Sequence, residues 1–95
     1  MKIKGYIWRR DVVDKLKWKH HIEIEEVKEV FKKHPRIERI EKGKIKGENV
    51  YVAFGRTESG RYLATFFIYK KDNRILINTA RDMTQKERNR YEKKQ

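Results

Sequence analysis

The apolar residues of this chain change their spacing at Pro35, and that change decides what the chain can fold into. Before it, Ile24, Val27, Val30 and Phe31 recur at three and four residues, the stripe of a helix facing a core. After it, Arg36-Ile37-Glu38-Arg39-Ile40-Glu41 alternates, as a strand with one solvated side should. Pro35 separates the two because it has no backbone N–H with which to continue a helix.

The same reading extends along the chain. Residues 3–8 predict a short first strand. Asp11 offers an N-cap for a helix through about Lys19, with Val12, Val13 and Leu16 on its apolar side, broken at His20-His21. A second helix covers about 24–33. Beyond the strand at 36–41, Gly43 and Gly47 allow a turn, and 49–55 predicts a further strand. Thr57-Glu58-Ser59-Gly60 is a hairpin signal. Residues 61–69 are apolar on both sides, which predicts a central strand. Lys71-Asp72-Asn73 makes a turn, and Ile75, Leu76 and Ile77 form the last strand. Thr84 and Glu87 have capping-box spacing for a final helix from Gln85 to about Lys94, whose one large apolar residue is Tyr91. The expected fold is α+β in one domain, 1–95: an N-terminal strand and two helices, a four-stranded antiparallel meander and a C-terminal helix. The order does not fit the βαββαβ pattern of an RNA-recognition motif.

Charge points to the partner. Lys and Arg number 26 against 14 Asp and Glu, a formal net charge of +12. Surface ion pairs would explain many charges but not this imbalance, so the chain is expected to meet a polyanion, RNA above all. The charge is also polarised. Residues 23–29 hold four glutamates and one lysine, whereas 36–46 and 81–95 are basic. With no cysteine, no N-terminal apolar run and no apolar run long enough for a bilayer, a cytoplasmic protein without a membrane partner is expected.

No motif for metal or nucleotide chemistry is present. His20 and His21 are adjacent and cannot turn both rings to one ion from a helix face, so neither a metal site nor a cofactor is expected. Arg56 and Arg81 follow apolar runs at strand ends, where side chains are held, and Arg61 is expected to face Arg56 across the hairpin. Three such forks would repel each other unless an anion lay among them, and a guanidinium matches a phosphate. The structural alternative is that Arg81 pairs with Glu87 and Arg56 with Glu58. Trp8, Trp18, Tyr51, Tyr62, Phe66 and Phe67 are candidates either for the core or for stacking on bases.

Several stretches together resemble the BrnT-type toxins, small RelE-like ribonucleases encoded beside an antitoxin. They are Trp8 with Lys19-His20, then Glu25-Glu26-Val27 and Val30-Phe31. Gly55-Arg56-Thr57 with Gly60-Arg61, Thr79-Ala80-Arg81, and Glu87-Arg88 with Tyr91 complete the set. The chain departs from the family pattern at Arg9, where Asp is frequent, at His21, in place of a helix-ending glycine, and at Asn78, in place of an apolar residue.

The resemblance implies RNA cleavage without metal. A base takes the 2′-hydroxyl proton, an acid protonates the leaving oxygen, and cations stabilise charge on phosphorus. It implies Arg56 and Arg81 as charge stabilisers, and Tyr91, Glu87 or His20 as proton handlers. Arg61, Lys86, Arg88 and Arg90 would bind RNA. For His20 the structural alternative is a helix C-terminus that satisfies carbonyls. The implied function is translation inhibition, and the implied partners are RNA and a DNA-binding antitoxin from the adjacent gene. A non-catalytic nucleic-acid module of the same fold, or a protein whose basic face docks an acidic partner, would share most of these features.

Overall fold

The structure, a computed structural model, describes residues 1–41 and 48–93. In chain order it forms β1 (Gly5–Ile7), α1 (Arg10–His20), α2 (Ile24–Lys32), β2 (Arg36–Glu41), β3 (Val50–Arg56), β4 (Tyr62–Tyr69), β5 (Arg74–Asp82) and α3 (Gln85–Lys93). The turn expected at Gly43 and Gly47 and the basic residues Lys42, Lys44, Lys46 and Lys94 lie outside the described residues.

The expected antiparallel meander is there, β2 through β5, with β4 in the centre, but the sheet is larger than expected. Its order is β1-β5-β4-β3-β2, and β1 pairs parallel with β5, so the sheet is five-stranded and mixed. The crossover through α1 and α2 explains the sense: Val12 and Leu16 pack α1 into the core, and the chain reaches β2 only at the far edge. β5 would otherwise be an edge with open hydrogen-bonding groups, and β1 covers part of it.

Two hydrophobic layers sit on opposite sides of the sheet. Under α1 and α2 lie Leu16, Ile22, Val27, Val30, Ala53, Leu63, Phe67, Ile75, Ile77 and Ala80, all buried. A chain of ring contacts runs through this layer from Trp8 to Tyr6, Phe31, Phe67, Tyr51 and Tyr69. Three of the six aromatics considered for stacking on bases are therefore core. Gly55 lets α2 approach: a Cβ there would meet Val30 Cγ1 at 2.8 Å. The second layer is thinner, with Val52, Phe54, Ala64 and Tyr91 buried and Tyr62, Phe66 and Met83 packed against them.

Local signals were partly as read. α1 begins at Arg10 with Arg9 as N-cap, so Asp11 lies inside the first turn, where Arg9 holds it at 3.0 Å. Asp favours that turn electrostatically whether or not it caps. α1 ends where the family glycine is missing. His21 takes the left-handed conformation itself, φ 54°, and the Ile22 N–H closes the helix on the Leu16 carbonyl at 2.9 Å. At α2, the Glu26 carboxylate accepts from the Glu23 N–H at 3.0 Å. The Thr84–Glu87 box at α3 forms as expected: the Thr84 N–H donates to Glu87 Oε1 and the Glu87 N–H donates to Thr84 Oγ1, at 2.9 and 3.1 Å.

The last strand is much longer than residues 75–77, because Asn78 is accommodated as a bulge. Phe67 pairs with Ile77 and Phe66 with Thr79, leaving Asn78 without an opposite number. One extra residue reverses the alternation of a strand. Ile75 and Ile77 therefore face α1 and α2, while Thr79 and Arg81 beyond the bulge face α3.

Candidate active site

The β3–β4 hairpin and α3 enclose a cleft. Arg56 closes β3 directly opposite Tyr62 of β4, and Gly60 between them takes φ +93°, which glycine adopts without strain. Arg56 forms no ion pair among the described residues. Its Nη2 donates to the Gly60 carbonyl at 3.5 Å, and its guanidinium lies 4.5 Å from the Tyr62 ring centre. From α3, Arg88 lies 4.0 Å from the same centre and Tyr91 meets it edge-on at 6.0 Å. Two guanidiniums at one ring repel each other, and the ring's negative face offsets that only in part.

The cleft has two recesses that share Arg56 and Tyr91. One, of about 360 Å³, is lined by Lys33, Thr57, Glu58 and Gly60 as well; the other, of about 280 Å³, by Tyr62 and Glu92. Its acids are engaged: Glu58 pairs with Lys33 at 3.2 Å, and Glu92 accepts from the Tyr62 hydroxyl at 3.0 Å. Burial raises the Tyr91 phenol above its ordinary pKa, against the pull of Arg56 and Lys33. It therefore carries its proton at neutral pH.

A second group stands on the same side of the sheet. Arg81 donates to both oxygens of Glu87, at 2.7 and 3.0 Å, and its guanidinium lies 5.2 Å from the Phe66 ring centre. Those bonds, with those from Thr84, hold the Glu87 carboxyl down at about 2. Arg81 is two strands from Arg56, about 10 Å across the sheet. Arg90 donates twice to Glu38 at 2.8 and 2.9 Å, and Lys86 is exposed.

Arg61 lies elsewhere. Its backbone closes the hairpin with Thr57, but its side chain crosses to the α1 side. There it donates to Asp82 at 2.7 Å and to the His20 and His21 carbonyls at 2.8 and 2.6 Å. The expected facing of Arg61 and Arg56 does not occur, because Tyr62 and not Arg61 is the register partner of Arg56. His20 sits with Arg61 and Asp82, its ring held below the ordinary pKa first by burial and then by Lys19 and Lys15.

A protein-family model described as ribonuclease toxin, BrnT, of type II toxin–antitoxin system, matches residues 8–87. The chain belongs to the BrnT family. It is thus a ribonuclease toxin of a type II toxin–antitoxin system, and a toxin of that type has a cognate antitoxin. No curated protein matches the chain.

On this BrnT toxin the structure brings together Arg56 and Tyr91, with Arg88 beside them, and sets the Arg81–Glu87 pair on the same face. It puts His20 and Arg61 on the other. Lys33 was missed from sequence, and Tyr62 was weighed only as core or as a ring for stacking on bases. Tyr62 was legible, since the spacing of a hairpin at 57–60 places it opposite Arg56; Lys33 carried no local signal. Among the described residues there is no group of three His, Cys, Asp or Glu placed to hold a metal ion, and no helix long and apolar enough to cross a membrane.

Proposed function

We propose that this BrnT toxin is a RelE-like, metal-independent endoribonuclease that cuts RNA at the Arg56–Tyr91 cleft. In this reading it stops translation and is held inactive by a DNA-binding antitoxin from the adjacent gene. The observation that carries the site is Arg56, a cation with no acidic partner among the described residues, lining both recesses together with a phenol that keeps its proton.

The chemistry follows from those groups. Arg56, with Lys33 beside it, stabilises the charge that develops on the phosphorane oxygens. The 2′-hydroxyl proton passes to Glu92, the carboxylate lining the second recess, and the 2′-oxygen forms its bond to phosphorus. Tyr91 gives its proton to the departing 5′-oxygen as that bond breaks, leaving a 2′,3′-cyclic phosphate and a 5′-hydroxyl. Glu92 then releases its proton to solvent and Tyr91 regains one from it. Arg81, steered by Glu87, meets a neighbouring phosphate, and Lys86, Arg88 and Arg90 add to the field along α3. Glu87, ionised and triply hydrogen-bonded, is a poor base, and His20 and Arg61 face away from the cleft; in this scheme they are structural.

Cleavage of a labelled RNA by wild type, Arg56→Ala and Tyr91→Phe, with and without EDTA, tests the reading. Both variants should cut more slowly, by about 10²–10⁴ for loss of the proton donor, and EDTA should change nothing. Wild type that binds RNA without cutting it would make the chain a nucleic-acid-binding module. Cutting only with added Mg²⁺ would end the metal-free scheme.

A further inference from the structure

Six aromatics were candidates for stacking on bases, and the fold disposes of five. Trp8, Tyr51 and Phe67 are in the ring chain under α2, while Tyr62 and Phe66 lie beneath guanidiniums on the α3 side. Trp18 alone stands in solvent, 70% exposed on the outer side of α1. An indole left in water forgoes a large burial energy, which an interaction site would recover.

Its surroundings are positive. Residues 15–22 read Lys-Leu-Lys-Trp-Lys-His-His-Ile, without an acid. None of Lys15, Lys17 and Lys19 forms an ion pair among the described residues, unlike Lys28, Lys33 and Lys70. At about 100° per residue, Lys15 and Lys19 fall on one side of Trp18, and Asp14 and Lys17 on the other. That other side borders a groove of about 300 Å³ between α1 and α2, edged by Asp14, Glu23 and Glu25, which would repel a phosphate.

We propose that Trp18, Lys15 and Lys19 form a second site for single-stranded RNA, on the opposite side of the sheet from the cleft. One base stacks on the indole and the two ammonium groups hold the adjoining phosphates. This rests on the ribonuclease reading and adds to it: the strand being cut is gripped at a distance, so long RNA binds better than short.

A 2′-O-methyl RNA of roughly 12 nucleotides, which cannot be cut, tests the site by anisotropy and by indole fluorescence. Trp8, packed on Tyr6, is the internal reference. Wild-type emission should be quenched on titration. Trp18→Ala should bind about tenfold or more weakly and lose the quenching, while Trp18→Phe should keep most of the affinity. Cleavage of a dinucleotide, too short to reach α1, should be equal in all three. If Trp18→Ala binds the long RNA as wild type does, the site is wrong, while wild-type cleavage would leave the ribonuclease reading standing. If Trp18→Ala binds RNA normally but fails to capture the antitoxin, the patch is a protein interface and the inference is overturned. If wild type neither binds nor cuts RNA, both readings fall.

Discussion

Arg81 and Glu87 grip each other through two parallel hydrogen bonds, 2.7 and 3.0 Å long, across the junction of β5 and α3. The same carboxylate accepts from the Thr84 N–H, so one side chain both starts the helix and aims the arginine. α3 needs such anchors, because Tyr91 is its one buried residue.

Arg81→Ala and Glu87→Gln separate the two roles. Each should lower the melting temperature by several degrees, the scale of about 1 kcal/mol in a domain this size. Arg81→Ala should also lower cleavage, by about 10–10², as for loss of one charged hydrogen bond to a phosphate, and Glu87→Gln, which still accepts from Arg81, should do so less. Equal loss of cleavage in both would mean that Arg81 serves only as an anchor for α3.

Acid should loosen α3 first. The folded Glu87 carboxyl is lowered from 4.5 to about 2, chiefly by Arg81. A lowered pKa contributes stability in full above the ordinary carboxylate value and loses it as the pH falls toward 2. Asp82, lowered chiefly by its hydrogen bond from Arg61, adds in the same direction. Melting curves between neutral and acid pH should show the decline, and it should be shallower in Glu87→Gln. Identical profiles for the two proteins would contradict the linkage.

Arg61→Ala should cost folding and spare RNA. The change strips a donor from Asp82 and from the carbonyls that end α1, at about 1–3 kcal/mol. Chemical denaturation should show the loss, while the salt dependence of RNA binding stays as in wild type. Unchanged stability with weakened RNA binding would return Arg61 to the RNA face.

RNA binding itself should be salt-dependent. With about four to six phosphates contacted, log K against log salt should fall with a slope of roughly −3 to −4 on single strands. An anisotropy titration with a slope near zero would remove the polyanion from the account.

Periodicity made most of the fold legible. The stripe in 24–31, the alternation at 36–41 and the doubly apolar strand at 61–69 each ended where a burial pattern required it. The pairing of β1 was not legible, since three residues carry no signal of parallel or antiparallel sense. In the site, Arg56, Arg81 and Tyr91 stood out by position, whereas the side taken by Arg61 depends on contacts with Asp82 and the end of α1, 21 and 40 residues away. Of the two arginines whose pairing was in question, Arg81 has an acid, Glu87, and Arg56 has none among the described residues.

Asn78 has a consequence for anyone who edits or aligns this chain. Upstream, the odd-numbered residues of β5 belong to the interior; downstream, the odd-numbered Arg81 belongs to the α3 side. Were the same residues to pair without the bulge, composition, charge and hydropathy would be untouched, yet Arg81 would pass to the α1 layer and Asp82 to the α3 side. Removing Asn78 outright would instead straighten the strand and keep Arg81 opposite Ala64. A one-residue gap at Asn78 in an alignment would thus mark a lost kink and an unchanged surface.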